Sequence, residues 1–157
     1  MPGALLQFHG SEDHDYCRAH GRPYLRALAM AEGVDLLEFE RAFPSAAGLL
    51  ADTPALAGAA DAAPAGFGGS GRPFAWQRLP LAQRRSLPLV LAGGLRADNV
   101  ADAICMVRPH AVDVSSGVEE SRGIKSIERM RGFMAAVASA DASLQTDPDA
   151  RVPGGAA

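Results

Sequence analysis

The chain has 157 residues, 48 % of them hydrophobic and 21 % charged, a balance that suits one globular domain with a buried core. A formal net charge of -3 gives no basic footprint for nucleic acid or an anionic membrane, and no apolar run approaches the roughly 18 residues of a spanning helix. Two cysteines, Cys17 and Cys105, have neither metal-ligand spacing nor the density of a disulfide scaffold, and the opening residues have no signal-peptide pattern, so a cytoplasmic protein is expected.

Short apolar runs alternate with longer segments of helical period, the pattern of βα units on a parallel sheet. In chain order this predicts a strand at 4–8, a helix at 12–20, a strand at 23–28, a helix at 35–43 and a strand at 48–51. A strand at 87–92, a helix at 99–107, a strand at 111–114 and a helix at 127–137 complete the series. Ser11 and Asp98 are good N-cap types just ahead of two of these helices. Residues 54–71, rich in Ala, Gly and Pro and without period, read as a long loop, and Arg84-Arg85 as a solvated helix end.

Each strand ends at a polar or glycine-rich turn: His9-Gly10, Met30 to Gly33, Asp52-Thr53, Gly93-Gly94 and Ser115-Ser116-Gly117. In parallel α/β folds ligands gather beyond these carboxyl ends, because loops and helix N-termini converge there. Gly93-Gly94 leads from a strand into a helix, where a missing Cβ lets the backbone approach a ligand and the helix presents unpaired N–H groups. One strand later, Ser115-Ser116-Gly117 offers amides and hydroxyls to an oxyanion. Either turn alone reads as a plain tight turn. Their conjunction after the last two strands reads as a phosphate site built from Gly93, Gly94, Ser115, Ser116 and Gly117.

Four stretches, in order and at compatible spacing, resemble the phosphoribosylanthranilate isomerase family. They are Leu5-Leu6-Gln7-Phe8-His9-Gly10, Gly68-Gly69-Ser70-Gly71-Arg72-Pro73-Phe74-Ala75-Trp76, Leu91-Ala92-Gly93-Gly94-Leu95 with Asn99-Val100, and Val112-Asp113-Val114-Ser115-Ser116-Gly117-Val118-Glu119. The resemblance runs from about residue 5 to 137 and matches strands four to eight of the family's barrel. It implies an α/β fold, a partial TIM (β/α)8 barrel of about five parallel strands with intervening helices. Residues 1–140 would form this incomplete domain and 141–157 a disordered tail.

The resemblance also implies an activity: the Amadori rearrangement of an N-(5'-phosphoribosyl)anthranilate aldosylamine to an aminoketose in tryptophan biosynthesis. The partner would be a small-molecule phosphosugar, with no cofactor and no metal. A general acid protonates the ribose ring oxygen and a general base removes the C2' proton. The family's base is a cysteine in a Lys-Ile-Cys-Gly motif, absent from this sequence, and its acid is expected in a Phe-Asp-Trp motif where this chain has Phe74-Ala75-Trp76. No catalytic residue is therefore assigned, and impaired or absent turnover is expected. Cys17 and Cys105 fall in helices as small packing residues, and Asp52, at a strand end, could place a carboxylate near the gap left by Ala75.

His9 matches a histidine of the family's active-site mouth and Asp113 a strand-end aspartate near the substrate, which makes them the expected substrate-binding pair. A packing histidine and a satisfied structural carboxylate are the plainer readings of the two. Lys125, in a Gly-Ile-Lys-Ser run, resembles the family's Gly-x-Lys-Asp, where its charge would favour the phosphate; a solvated lysine is the other reading. Phe74 and Trp76 read as apolar packing.

Five strands of an eight-stranded barrel leave two open edges. That predicts a marginal half-barrel, self-association or completion by an N-terminal complementing fragment, with truncation as a fourth explanation. The alternative function is a non-catalytic phosphate-binding half-barrel or interaction module. Another phosphosugar barrel enzyme, such as one of histidine biosynthesis, fits the Phe-x-Trp and Asp-Val-Ser-Ser-Gly-Val-Glu stretches less closely.

Overall fold

The computed structural model describes residues 3–54 and 75–146. Five strands, β1 (Leu6–Phe8), β2 (Tyr24–Ala29), β3 (Gly48–Asp52), β4 (Leu89–Leu91) and β5 (Ala111–Val112), lie side by side in chain order. Every pairing among them is parallel. Helices α1 (His14–Ala19), α2 (Leu36–Ala42) and α3 (Val100–Val107) connect successive strands, and α4 (Ile127–Thr146) follows a hairpin of β6 (Glu119–Ser121) and β7 (Ile124–Lys125). Sequential parallel strands with helical crossovers form an arc of a (β/α)8 barrel, as the resemblance implies.

Side chains alternate across the strands, so each face has its own core. Leu28, Leu49, Ala51, Leu89 and Leu91 pack beneath the helices against Leu36, Val100, Ala103, Ile104 and Phe133. Ala27, Leu50 and Ala92, with half-buried Val90, form a smaller cluster of mostly small side chains on the other face. Burying each large aliphatic side chain of the first cluster contributes about 1.5–3 kcal/mol, so the helix-covered face holds the sheet together.

The element boundaries differ from expectation where side chains compete for backbone groups. Helix α1 starts at His14 and not at residue 12, because Glu12 turns back to accept the Gly10 amide at 2.8 Å, and Asp13 caps in place of Ser11 by accepting the Tyr16 amide at 2.8 Å. Asn99 occupies the position before α3; its Oδ1 accepts from the Arg96 amide at 2.8 Å and its Nδ2 donates to the Gly94 carbonyl at 3.0 Å. Asp98 instead pairs with Arg96 at 3.0 Å, so it is not the cap. Arg85 is not a solvated helix end: it is half-buried and donates to the Val107 and Arg108 carbonyls, both at 2.8 Å, closing the end of α3.

Helix α4 continues through Thr146, past the tail boundary expected at 141, because Ala140 is buried and Leu144 packs on the main core. The rest of that expected tail, the loop at 54–71 beyond Pro54, and Phe74 lie outside the described residues. Trp76 packs against the main core, in keeping with an apolar anchor. The β6–β7 hairpin was not anticipated, since its two strands are too short to show alternation; Gly123, at φ +81°, makes its turn. Among the described residues no helix is long and apolar enough to cross a membrane.

Candidate functional site

A hollow of about 80 Å³ opens at the carboxyl ends of β3, β4 and β5. That is far below the ~300 Å³ at which pockets for whole drug-sized ligands begin, so it suits the small charged end of a ligand. Asp52 and Thr53 line it from β3, residues 92–95 from β4, and residues 113–117 from the turn after β5. All five residues expected to bind phosphate, Gly93, Gly94, Ser115, Ser116 and Gly117, are brought together here, with Asp113 among them.

Two glycines make the three turns fit. Gly93 has φ +81°, and a Cβ there would fall 2.1 Å from Thr53 Oγ1 and 2.5 Å from the Thr53 amide nitrogen. A Cβ on Gly117 would fall 1.8 Å from the Leu95 carbonyl oxygen. The β3 and β4 turns, and the β4 and β5 turns, therefore touch backbone to backbone, which sets peptide groups around the hollow.

Asp52 ends β3 with its Oδ1 accepting the Thr53 amide at 2.7 Å. Burial pushes its carboxyl above the ordinary value of 3.8, and the charge of Asp113 adds to the rise; the two bonds from Thr53 oppose it without cancelling it. A carboxyl so placed holds a proton more readily than a solvated one, and it faces the same hollow as the candidate anion-binding amides. Sequence reading gave it only as a carboxylate that could stand near the gap left by Ala75 and did not count it among the site residues, because it expected the acid at position 75. Ala75 is exposed and does not line the hollow. The available signal was the strand-end Asp52-Thr53 pair itself, which ends its strand as Asp113 does two strands later.

The remaining expected residues lie elsewhere. His9 is exposed at the end of β1, the far edge of the sheet, and does not line the hollow. Its turn is held from below by Arg26, which is only 4 % exposed. Arg26 donates to the carbonyls of Phe8 (3.0 Å), Ala27 (3.1 Å), Gly10 (2.8 Å) and Glu12 (3.1 Å), and its guanidinium lies 4.9 Å from the Phe43 ring centre. Cys17 is fully buried among Tyr24, Phe43 and Ala46, and burial raises its thiol pKa, whereas Cys105 is exposed on α3. Neither lines the hollow. No group of His, Cys, Asp and Glu among the described residues could hold a metal ion.

Lys125 stands behind the serine turn. Its Nζ donates to the Ser115 carbonyl at 2.8 Å and to Glu119 Oε1 at 2.7 Å, with Ser115 Oγ at 3.3 Å. The Lys125 bond, joined by the Gly123 amide, holds Glu119 below the ordinary carboxylate value.

A profile of the N-(5'-phosphoribosyl)anthranilate isomerase family matches residues 3–136. The chain is 49 % identical over 146 residues to the N-(5'-phosphoribosyl)anthranilate isomerase of Dechloromonas aromatica, covering 92 % of this chain and 64 % of that protein. It thus spans a little under two thirds of that relative's length. Among solved structures it superposes on the phosphoribosylanthranilate isomerase of Thermus thermophilus with a TM-score of 0.66 at 30 % identity, covering 86 % of this chain and 60 % of the other. It also superposes, with a TM-score of 0.58 at 29 % identity over 86 % of this chain and 59 % of the other, on a phosphoribosylanthranilate isomerase in complex with reduced 1-(o-carboxyphenylamino)-1-deoxyribulose 5-phosphate.

Proposed function

The chain belongs to the N-(5'-phosphoribosyl)anthranilate isomerase family, and from that premise we propose that it carries the phosphate-binding and proton-donating part of this isomerase of tryptophan biosynthesis. The observation that carries the reading is one hollow that joins the Gly93-Gly94 and Ser115-Ser116-Gly117 turns to a carboxyl whose pKa is raised. The backbone amides of the two turns take the 5'-phosphate. Asp52 donates its proton to the ribose ring oxygen; the C1'–O bond breaks, the nitrogen lone pair forms the C1'–N double bond, and Asp52 is left as the carboxylate. A base then takes the C2' proton, and the resulting enolamine tautomerises to the aminoketose.

Burial raises the Asp52 pKa and the charge of Asp113 adds to the rise, which suits Asp52 to deliver a proton; Asp113 also faces the substrate, while His9 approaches only from the mouth. Asp52 takes the place of the acid that alanine at position 75 cannot supply, so the expectation that the acid is lost is replaced by one of a missing base. Cys17 and Cys105 both lie away from the hollow. Turnover by these 157 residues alone is therefore lowered by about 10²–10⁴-fold, the usual contribution of one positioned proton-transfer group. The alternative, a non-catalytic phosphate-binding half-barrel or interaction module, is not favoured by the family match. Among the described residues β1 and β5 are each paired on one side only, which suits self-association or a complementing segment that brings further strands. The protein works in the cytoplasm without a cofactor.

Calorimetry with the reduced deoxyribulose 5-phosphate analogue, followed by competition with inorganic phosphate, tests the binding half. Binding that phosphate displaces is expected, and no binding would end the proposal. Single-enzyme turnover of phosphoribosylanthranilate by the unchanged chain and by Asp52→Asn tests the acid: residual turnover unaffected by the substitution would remove Asp52 from that role, and no turnover with intact binding would favour the non-catalytic reading.

A further inference from the structure

The hollow holds a contradiction that the sequence did not show. Two carboxyl groups, Asp52 and Asp113, line it, and no Lys or Arg side chain does. A phosphate monoester brings up to two more negative charges to the same space, and backbone amides supply only partial charges against it. Resting on the phosphate reading, a compensating cation stands beside the serine turn: the ammonium of Lys125, on the Ser115 carbonyl and hydroxyl.

That ammonium is shared. Glu119 Oε1 lies 2.7 Å from Lys125 Nζ, and Glu119 is itself fixed by the Gly123 amide on its other oxygen at 3.1 Å and by Arg129 donating to its carbonyl. The β6–β7 hairpin thus carries both charges as a unit, with Glu119 paired with Lys125 in register across it. We propose that Lys125 is the positioning and counter-charge residue of the phosphate cup, holding the Ser115 turn open toward the ligand, and that Glu119 sets how much of its charge the ligand receives.

The two partners then have opposite effects on anion binding. Lys125→Met removes the charge and the tether. Glu119→Gln keeps the shape and an acceptor for the Gly123 amide while releasing the ammonium from its competing carboxylate. A merely structural hairpin would instead make both substitutions weaken binding, since both break the same bond.

The test is a titration of the full 157-residue chain with inorganic phosphate at low and moderate salt, followed by amide NMR shifts of Gly93, Gly94, Ser116 and Gly117. Circular dichroism confirms that each variant is folded. The expected result is a loss of about 3- to 10-fold in phosphate affinity for Lys125→Met, near-complete retention in Lys125→Arg, and a gain of about 2- to 5-fold for Glu119→Gln, the differences shrinking as salt rises. Equal affinity in the unchanged chain and Lys125→Met would overturn the proposal and leave the phosphate reading standing. Weakening by Glu119→Gln as large as that by Lys125→Met would also overturn it, by showing a structural brace. No shift of these amides in the unchanged chain would overturn both readings at once.

Discussion

The carboxyl end of the sheet contains two regions made in opposite ways. Beside β1 and β2 the turn at residues 8–12 is stitched down: four of its own and neighbouring carbonyls are taken up by one buried arginine, and Glu12 closes on the Gly10 amide. Beside β3, β4 and β5 the turns meet through glycines, keep their side chains small and surround an empty space with peptide groups and two carboxyls. Internal satisfaction stabilises the first region; the second leaves hydrogen-bonding capacity for something from outside. A functional site in this chain is therefore recognisable as the place where the fold declines to complete its own contacts.

The largest effect should come from breaking the stitched side. Arg26→Met leaves four carbonyls without their donor and Glu12 without its cation, and should lower stability by about 3–5 kcal/mol in denaturant unfolding. A loss below about 1 kcal/mol would mean that water replaces the guanidinium easily and that the contrast between the regions is shallow. Next is the open side: Gly93→Ala must resolve a 2.1 Å approach to Thr53 Oγ1 at a positive φ, at a cost of about 2–3 kcal/mol, and should also abolish phosphate binding. Unchanged binding in that variant would separate the hollow from the anion site.

A smaller effect of opposite sign sharpens the comparison. Asp52→Asn replaces a half-buried carboxylate, held beside Asp113, with a neutral amide, and should raise the unfolding midpoint near pH 7 by about 1–3 °C while removing the acid. A lower midpoint would show that its bonds to Thr53 outweigh its burial. Smallest is the pH response. Asp52, with its pKa raised, contributes stability that is complete below its ordinary 3.8 and is lost as pH rises through the raised value. Glu12 behaves in the reverse sense: burial opposes its ionisation, but its own amide, the Gly10 amide and Arg26 prevail, so its contribution is present above 4.5 and is lost as pH falls through the lowered value. Carbon-detected NMR titration of the two carboxyls should find Glu12 below its ordinary 4.5 and Asp52 above its ordinary 3.8, and a shift of either in the other sense would contradict the contrast.

The strands were legible because period and turn chemistry agree: Leu89-Val90-Leu91 before Gly93-Gly94 has no other reading as clear as a buried strand entering a helix. The convergence of the Gly93-Gly94 and Ser115-Ser116-Gly117 turns was legible for the same reason, since a glycine needed for close approach is visible as a letter. What failed was anything settled by competition among neighbours. Ser11 and Asp13 are equally good caps by type, and only the return of Glu12 to the Gly10 amide decides between them. Asp52 was given only as a carboxylate near the gap at Ala75, because its raised pKa comes from burial and from Asp113, far along the chain. The hairpin escaped because two- and three-residue strands carry no period. Family resemblance named the chemistry but placed its acid at Ala75, whereas the carboxyls that line the hollow are those of Asp52 and Asp113.

The two thiols, one sealed beneath β2 and the other open on α3, amount to a gauge already installed in the molecule. An alkylating reagent should consume Cys105 at once, whereas Cys17 can react only in the interval when the layer above it lifts. Its modification rate then counts those openings directly, reporting how firmly the stitched side is shut without a label, a mutation or any knowledge of the ligand.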